Sequence, residues 1–95
     1  MMPDVIRLRL FVAGDAANSV RALGNLSAIC KAYFDGLCDI DVVDVFAEPM
    51  RALEDGILLT PQLVVLSAVP QRRIVGDLSE TDRVVVALGG AVPPA

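Results

Sequence analysis

The sequence predicts a single α/β domain with the element order β-α-β-α-β-β-α. Two observations predict it. In the first half, residues 5–12 alternate at a period of two, an apolar stripe at helical spacing follows, and the valine-rich residues 40–46 come next. Those lengths make a right-handed strand–helix–strand unit. In the second half the elements are shorter and are punctuated by Pro49, Gly56, Thr60-Pro61, Pro70 and Gly76-Asp77. With 95 residues the chain has core material for one domain, expected at 1–90, with 91–95 as a flexible tail.

Within residues 5–12, Ile6, Leu8, Leu10 and Val12 face one way and Arg7, Arg9 and Phe11 the other. Gly14-Asp15 breaks the strand. Asn18 or Ser19 is placed to cap the next helix, because either side chain accepts a bond from a first-turn N–H. Val20, Leu23, Leu26, Ile29, Cys30 and Phe34 form its apolar stripe. Gly24 inside it costs about 1 kcal/mol relative to Ala, and Asp35-Gly36 ends it. Residues 40–46 carry Val42, Val43 and Val45 without clean alternation, which predicts a strand covered on both faces.

Pro49 suits the first position of a short helix that places Met50, Leu53 and Ile57 on one face and stops at Gly56. Residues 63–66 and 73–75 read as two brief strands joined across Pro70. Ser79 with Asp82 resembles a capping box, so a helix should follow. Val84-Val85-Val86 favours strand instead, and the local signals over 84–88 conflict. Gly89-Gly90 stops the element.

Hydrophobic residues make up 55% of the chain and the mean hydropathy is +0.61. A domain this small leaves part of that material outside its core, which predicts an oligomer or a partner-binding face. The net charge of −4, with Arg72-Arg73 the only adjacent basic pair, excludes nucleic acid as the main ligand. No leader pattern and no run approaching ~20 apolar residues is present, so a cytoplasmic protein away from membranes is expected.

Cys30 and Cys38 are the only cysteines and there is no histidine, which is too few ligands for a zinc site. Cys30 reads as a small core residue and Cys38, near a turn, as the more reactive thiol. Ser19 has no histidine to activate it. Asp41 with Asp44, and Glu54 with Asp55, read as solvated charges, and no phosphate-cradling glycine loop exists. No cofactor, metal or catalytic residue is expected. Arg72 and Arg73 are either a solvated turn or a docking patch for carboxylates.

The element order is that of a thioredoxin-like domain. At the corner where such an enzyme carries Cys-x-x-Cys, this chain reads Gly14-Asp15-Ala16-Ala17-Asn18-Ser19, without a thiol. In that fold a cis proline commonly precedes the third strand, a role open to Pro61; an ordinary trans proline is the other reading. Leu10-Phe11-Val12-Ala13-Gly14, Asn18-Ser19-Val20-Arg21-Ala22-Leu23, Val43-Asp44-Val45, Glu54-Asp55, Ile57-Leu58, Thr60-Pro61 and residues 72–79 occur in that order. On these residues the chain resembles the KaiB family over 5–88.

The resemblance implies a non-enzymatic clock or timing protein that binds a KaiC-type hexameric ATPase, with KaiA or a clock histidine kinase as further partners and a dimer or tetramer as its own assembly. It implies a partner surface at Met50, Leu53, Glu54, Gly56, Arg72 and Arg73. It also implies a fold switch of the C-terminal half between a thioredoxin-like state and the KaiB ground-state fold, with Pro61, Pro70 and Ala87 as its determinants. Ala87 replaces a frequent glycine and tilts the balance toward helix; Gly56 replaces a lysine that helps contact KaiC. The Pro-rich turn is reduced to Ala68-Val69-Pro70 and an acidic C-terminal tail is absent, which points to a divergent homologue. The alternative is a thioredoxin-like sensor or redox module of the kind found in clock histidine kinases; the end of the chain at Ala95, without linker or kinase sequence, weighs against it.

Overall fold

Alternation in the first strand sorts its side chains onto two faces, and the fold covers both. The computed structural model describes residues 5–91, so the tail expected at 91–95 lies outside the described residues apart from Ala91. The elements are β1 (Ile6–Val12), α1 (Ala17–Phe34), β2 (Cys38–Asp44), α2 (Pro49–Glu54), β3 (Gln62–Val65), β4 (Arg72–Val75) and α3 (Thr81–Ala87). This is the predicted order. The four strands form one sheet in the order β2-β1-β3-β4. β1 pairs parallel with β2 and antiparallel with β3, and β3 pairs antiparallel with β4.

One face carries Leu8, Leu10, Val12, Leu63, Val65 and Ile74, packed against Ala22, Leu26, Ile29 and Cys30 of α1 and Val84 and Val85 of α3. The other face carries Phe11, Val43 and Val64 beneath Ala52 of α2. The conflict over 84–88 resolves as helix because Val84 and Val85 are buried against the sheet, and their burial outweighs a propensity deficit of tenths of a kcal/mol each.

Several local expectations are corrected. Neither Asn18 nor Ser19 caps α1, whose N-cap is Ala16. Ser19 is buried and its Oγ accepts a bond from the Ala13 N–H at 3.0 Å, while Asn18 accepts from Arg21. The inward stripe is Ser19, Ala22, Leu26, Ile29 and Cys30, which leaves Val20 and Leu23 exposed. β2 starts two residues early and lies at the sheet edge, so only Val43 is fully buried and Val42 is exposed. β3 and β4 each start one residue early. The capping box also fails: α3 begins after Glu80, and the Ser79 N–H donates instead to Asp77 Oδ1 at 3.1 Å.

That carboxylate organises the loop before α3. Asp77 lies 3.6 Å from Arg21, and Asn25 Nδ2 donates to the Asp77 carbonyl at 2.8 Å, tying the loop to α1. Hydrogen bonds from Ser79, with Arg21 nearby, hold the Asp77 carboxyl below the usual carboxylate range. Leu78 takes φ +61, a strained conformation for a residue with a side chain, and its burial in the core offsets the cost. No helix among the described residues is long and apolar enough to cross a membrane.

Candidate partner-binding surface

α2 is short, and its composition decides which way it faces. Pro49 occupies its first turn, where the missing N–H would have had no intrahelical partner. Ala52 is the helix residue that enters the core, and Ile57, just beyond the end, packs beside it after its N–H donates to the Ala52 carbonyl at 2.9 Å. Gly56 makes the turn at φ +67, a backbone that disfavours any side chain, with open space where a Cβ would sit. Met50 and Leu53 therefore do not share an inward face with Ile57, as the spacing suggested; they point outward.

Their exposure is large, at 64% for Met50 and 70% for Leu53. Phe46, at 75%, stands before α2, and Leu58 and Leu59, at 92% and 62%, follow it. Sequence reasoning missed these three as surface candidates. The valine-rich run predicts a strand through Phe46, whereas the chain leaves β2 at Asp44. Asp44 Oδ1 accepts from the N–H groups of Phe46 at 2.9 Å and Gly14 at 3.1 Å, which joins the end of β2 to the corner after β1. The Phe46 ring lies against Gly14.

Ion pairs anchor α2 from below. Arg9 of β1 donates to Asp41 of β2 and Asp55 after α2, both at 3.0 Å. Arg51 adds bonds to Asp41 at 2.5 Å and Glu48 at 3.2 Å. Burial pushes the Asp41 carboxyl up, but the hydrogen bonds from Arg9 and Arg51 outweigh it, and the net result lies below the usual range. Asp41 and Asp55 are thus paired rather than solvated, and Glu54 is the exposed carboxylate of α2.

The two arginines diverge. Both lie in β4, at the opposite sheet edge from β2. Register pairs Arg72 with Val65, on the α1/α3 face, and Arg73 with Val64, on the α2 face. Arg72 Nη1 donates to the carbonyls of Val86 and Ala87 at 3.2 and 3.0 Å and so satisfies the C-terminal end of α3, where a cation is favoured. Of the pair, Arg73 alone shares a face with Met50, Leu53 and Glu54.

Pro61 follows a cis peptide bond immediately before β3, as the fold predicted, and a second cis bond precedes Pro70 in the β3–β4 turn. Ala87 is half-buried at the end of α3. The cysteines lie at the far end of α1, not at its N-terminal corner. Cys30 is buried as expected, and burial, with the neighbouring Cys38 adding to it, pushes its thiol up to about 12.

The comparisons with known proteins agree with this architecture. The family model of the KaiB domain matches residues 9–89. The circadian clock oscillator protein KaiB of Synechococcus elongatus is 46% identical over 81 residues, covering 85% of this chain and 79% of the relative. The KaiB of Nostoc punctiforme is also 46% identical over 81 residues, with 85% and 78% covered. Among solved structures, thioredoxin 1 of Thermosipho africanus superposes with a TM-score of 0.71 at 20% identity, covering 88% of this chain and 91% of that one. The N-terminal domain of Synechococcus elongatus SasA does so with 0.67 at 20% identity, covering 100% and 93%. The likeness to these structures establishes a thioredoxin-like fold, and with the family model and the KaiB relatives it shows that this chain belongs to the KaiB family.

Proposed function

We propose that this chain is a non-enzymatic clock or timing protein that binds and regulates a KaiC-type hexameric ATPase. One observation carries the reading: α2 buries only Ala52 and turns Met50 and Leu53 outward, beside the exposed Phe46, Leu58 and Leu59. Exposed apolar side chains of this size on α2 and the segments that flank it, with Glu54 on the helix and Arg73 on the same sheet face, form the kind of surface that protein partners cover. Gly56 keeps the rim low. Arg72 contributes indirectly, by fixing the end of α3. The thioredoxin-like state is the binding-competent one in this reading, and its exchange with a second packing belongs to the half that contains Pro61, Pro70 and Ala87. Val84 and Val85 of α3, poor helix formers kept helical by burial, support that assignment. A cytoplasmic location, self-association of the second packing, and contacts with KaiA or a clock histidine kinase complete it.

The test is a time course of complex formation with the KaiC-type ATPase of the same organism in the presence of ATP, followed by light scattering after size exclusion. A slowly appearing complex is expected if the competent state is minor, because apparent affinity falls by its population. Leu53→Asp should weaken the complex at least tenfold while leaving the thermal midpoint unchanged. Absence of a complex with every phosphorylation state of the ATPase overturns the proposal.

A further inference from the structure

The sheet ends at β4, and the register fixes which backbone groups it leaves there. β4 pairs antiparallel with β3 on one side and, among the described residues, has no strand on the other. The Gly76 N–H donates to the Pro61 carbonyl at 2.9 Å, so this is a hydrogen-bonded position of the ladder. Such positions alternate along an antiparallel pair, so Ile74 and Arg72 also bond to β3, opposite Leu63 and Val65. The N–H and C=O groups of Arg73 and Val75 therefore point outward along the free edge. The surroundings of that edge differ by face. On the α2 face, Arg73 is exposed and makes no ion pair among the described residues. On the other face, the bond from Arg72 to the Val86 carbonyl sets α3 beside the strand, and Val86 itself is exposed. Clefts of about 170 and 200 Å³ lie between β4 and α3, one at each end of the strand. Gly76, Leu78 and Arg83 line the first, and Ser67, Val69 and Leu88 the second.

We propose that the free edge of β4 takes an extended acidic segment of another protein as a fifth strand, one in which carboxylate and apolar side chains alternate. The outward groups of Arg73 and Val75 supply donors and acceptors in one row for its backbone. Residues opposite one another across a ladder share a face, so the carboxylates meet Arg73, whose guanidinium fits a carboxylate with two parallel bonds. The apolar residues between them fall on the α3 face, over Val86 and the two clefts. Charge selects the occupant. A second β4 laid here would set arginines against arginines, which is destabilising. The chain's own β2 is acidic, but Asp41 is held by Arg9 and Arg51, and Asp44 by the N–H groups of Gly14 and Phe46, which leaves Asp39. A partner with unengaged carboxylates suits the edge better than a second copy does. The site uses the strand's edge and the α3 flank rather than the outer surface of α2, so this proposal stands independently of the ATPase reading.

The experiment titrates the full chain into a fluorescein-labelled peptide that alternates glutamate and valine, followed by anisotropy, with amide hydrogen exchange of β4 measured in parallel. Saturable binding is expected, weakened at least about tenfold when lysine replaces glutamate in the peptide. In the free chain the Arg73 and Val75 amides should exchange fast and the Ile74 amide slowly; the peptide should protect the first two. Val75→Pro removes an outward N–H at an edge position that tolerates proline, so the thermal midpoint should hold while binding falls at least about tenfold. Arg73→Glu should reverse the preference between the two peptides. Absence of saturable binding, equal binding of both peptides, or protection of Arg73 and Val75 through self-association of the chain alone overturns the proposal.

Discussion

The two faces of the sheet are built to different standards. The α1/α3 face gathers fourteen buried residues from five elements, the loop before α3 and the residue after it, whereas the α2 face gathers four, Phe11, Val43, Ala52 and Val64. The first face is a core. The second is a thin apolar layer under a six-residue helix, held at its margin by Arg9, Arg51, Asp41 and Asp55, and the helix turns its own largest apolar side chains, Met50 and Leu53, to solvent. Under the proposed function, stability and recognition are divided between the faces. Changes on the α1/α3 side should alter folding, and changes on the outer surface of α2 should alter binding alone.

Leu26→Ala should show the largest effect, since it empties a fully buried site between α1 and the sheet. A loss of about 3 kcal/mol is expected, with a fall in Tm beyond about 10 °C. Urea denaturation of the purified variant measures it; a loss below about 1 kcal/mol would deny this face its role as the core. Arg9→Met should cost about 1 kcal/mol at neutral pH, because it leaves two half-buried carboxylates without their shared cation.

The same variant has a pH signature. Asp41 has a depressed pKa in the folded state, so its contribution is fully present above the unfolded value near ~3.9 and is lost as pH falls through the folded value. Urea midpoints taken between neutral and acid pH should fall more steeply below pH ~4 in the parent than in Arg9→Met. Equal slopes would show that the ion pair does not couple to folding.

Gly24→Ala should gain about 0.5–1 kcal/mol, because the position is helical and nothing lies within 4 Å of the added methyl. The thermal midpoint should rise accordingly, with partner binding unchanged. Leu53→Ala is the counterpart of Leu26→Ala, the same deletion on the exposed surface of α2. Its stability should stay within about 0.5 kcal/mol of the parent. A larger loss would mean that α2 buries more than Ala52.

The first half was the more legible because its signals were long and redundant. Seven alternating positions in β1 and an 18-residue helix leave little choice of element type. The errors there concern facing and capping. Val20 and Leu23 fit the apolar stripe, but the sheet meets α1 one step around, where Ser19 and Ala22 are small enough to approach it. Ser19 was placed as a cap by its type, yet its hydroxyl turns back to the Ala13 N–H. In the second half, element order was readable from prolines and glycines, but the helical state of Val84 to Val86 was not, since propensity there opposes the packing that prevails.

The candidate surface was half legible. Met50, Leu53, Glu54, Gly56 and Arg73 all belong to the α2 face or its rim. Arg72 instead serves α3, a division visible only through the register of β4 with β3. Phe46, Leu58 and Leu59 carried no spacing signal, because loop residues have no period from which exposure can be read.

By itself the sequence determined the order and type of the elements, the absence of a thiol at the corner before α1, and the proline before β3. Each follows from local chemistry: side-chain period, backbone restriction, or the lack of a reactive atom. Only the tertiary structure decided that β2 is an edge strand, that one face of the sheet is thick and the other thin, and that Arg72 and Arg73 serve opposite faces. Those outcomes depend on which surfaces are brought together, and burial of apolar area in the assembled sheet outweighs any preference that a residue expresses alone.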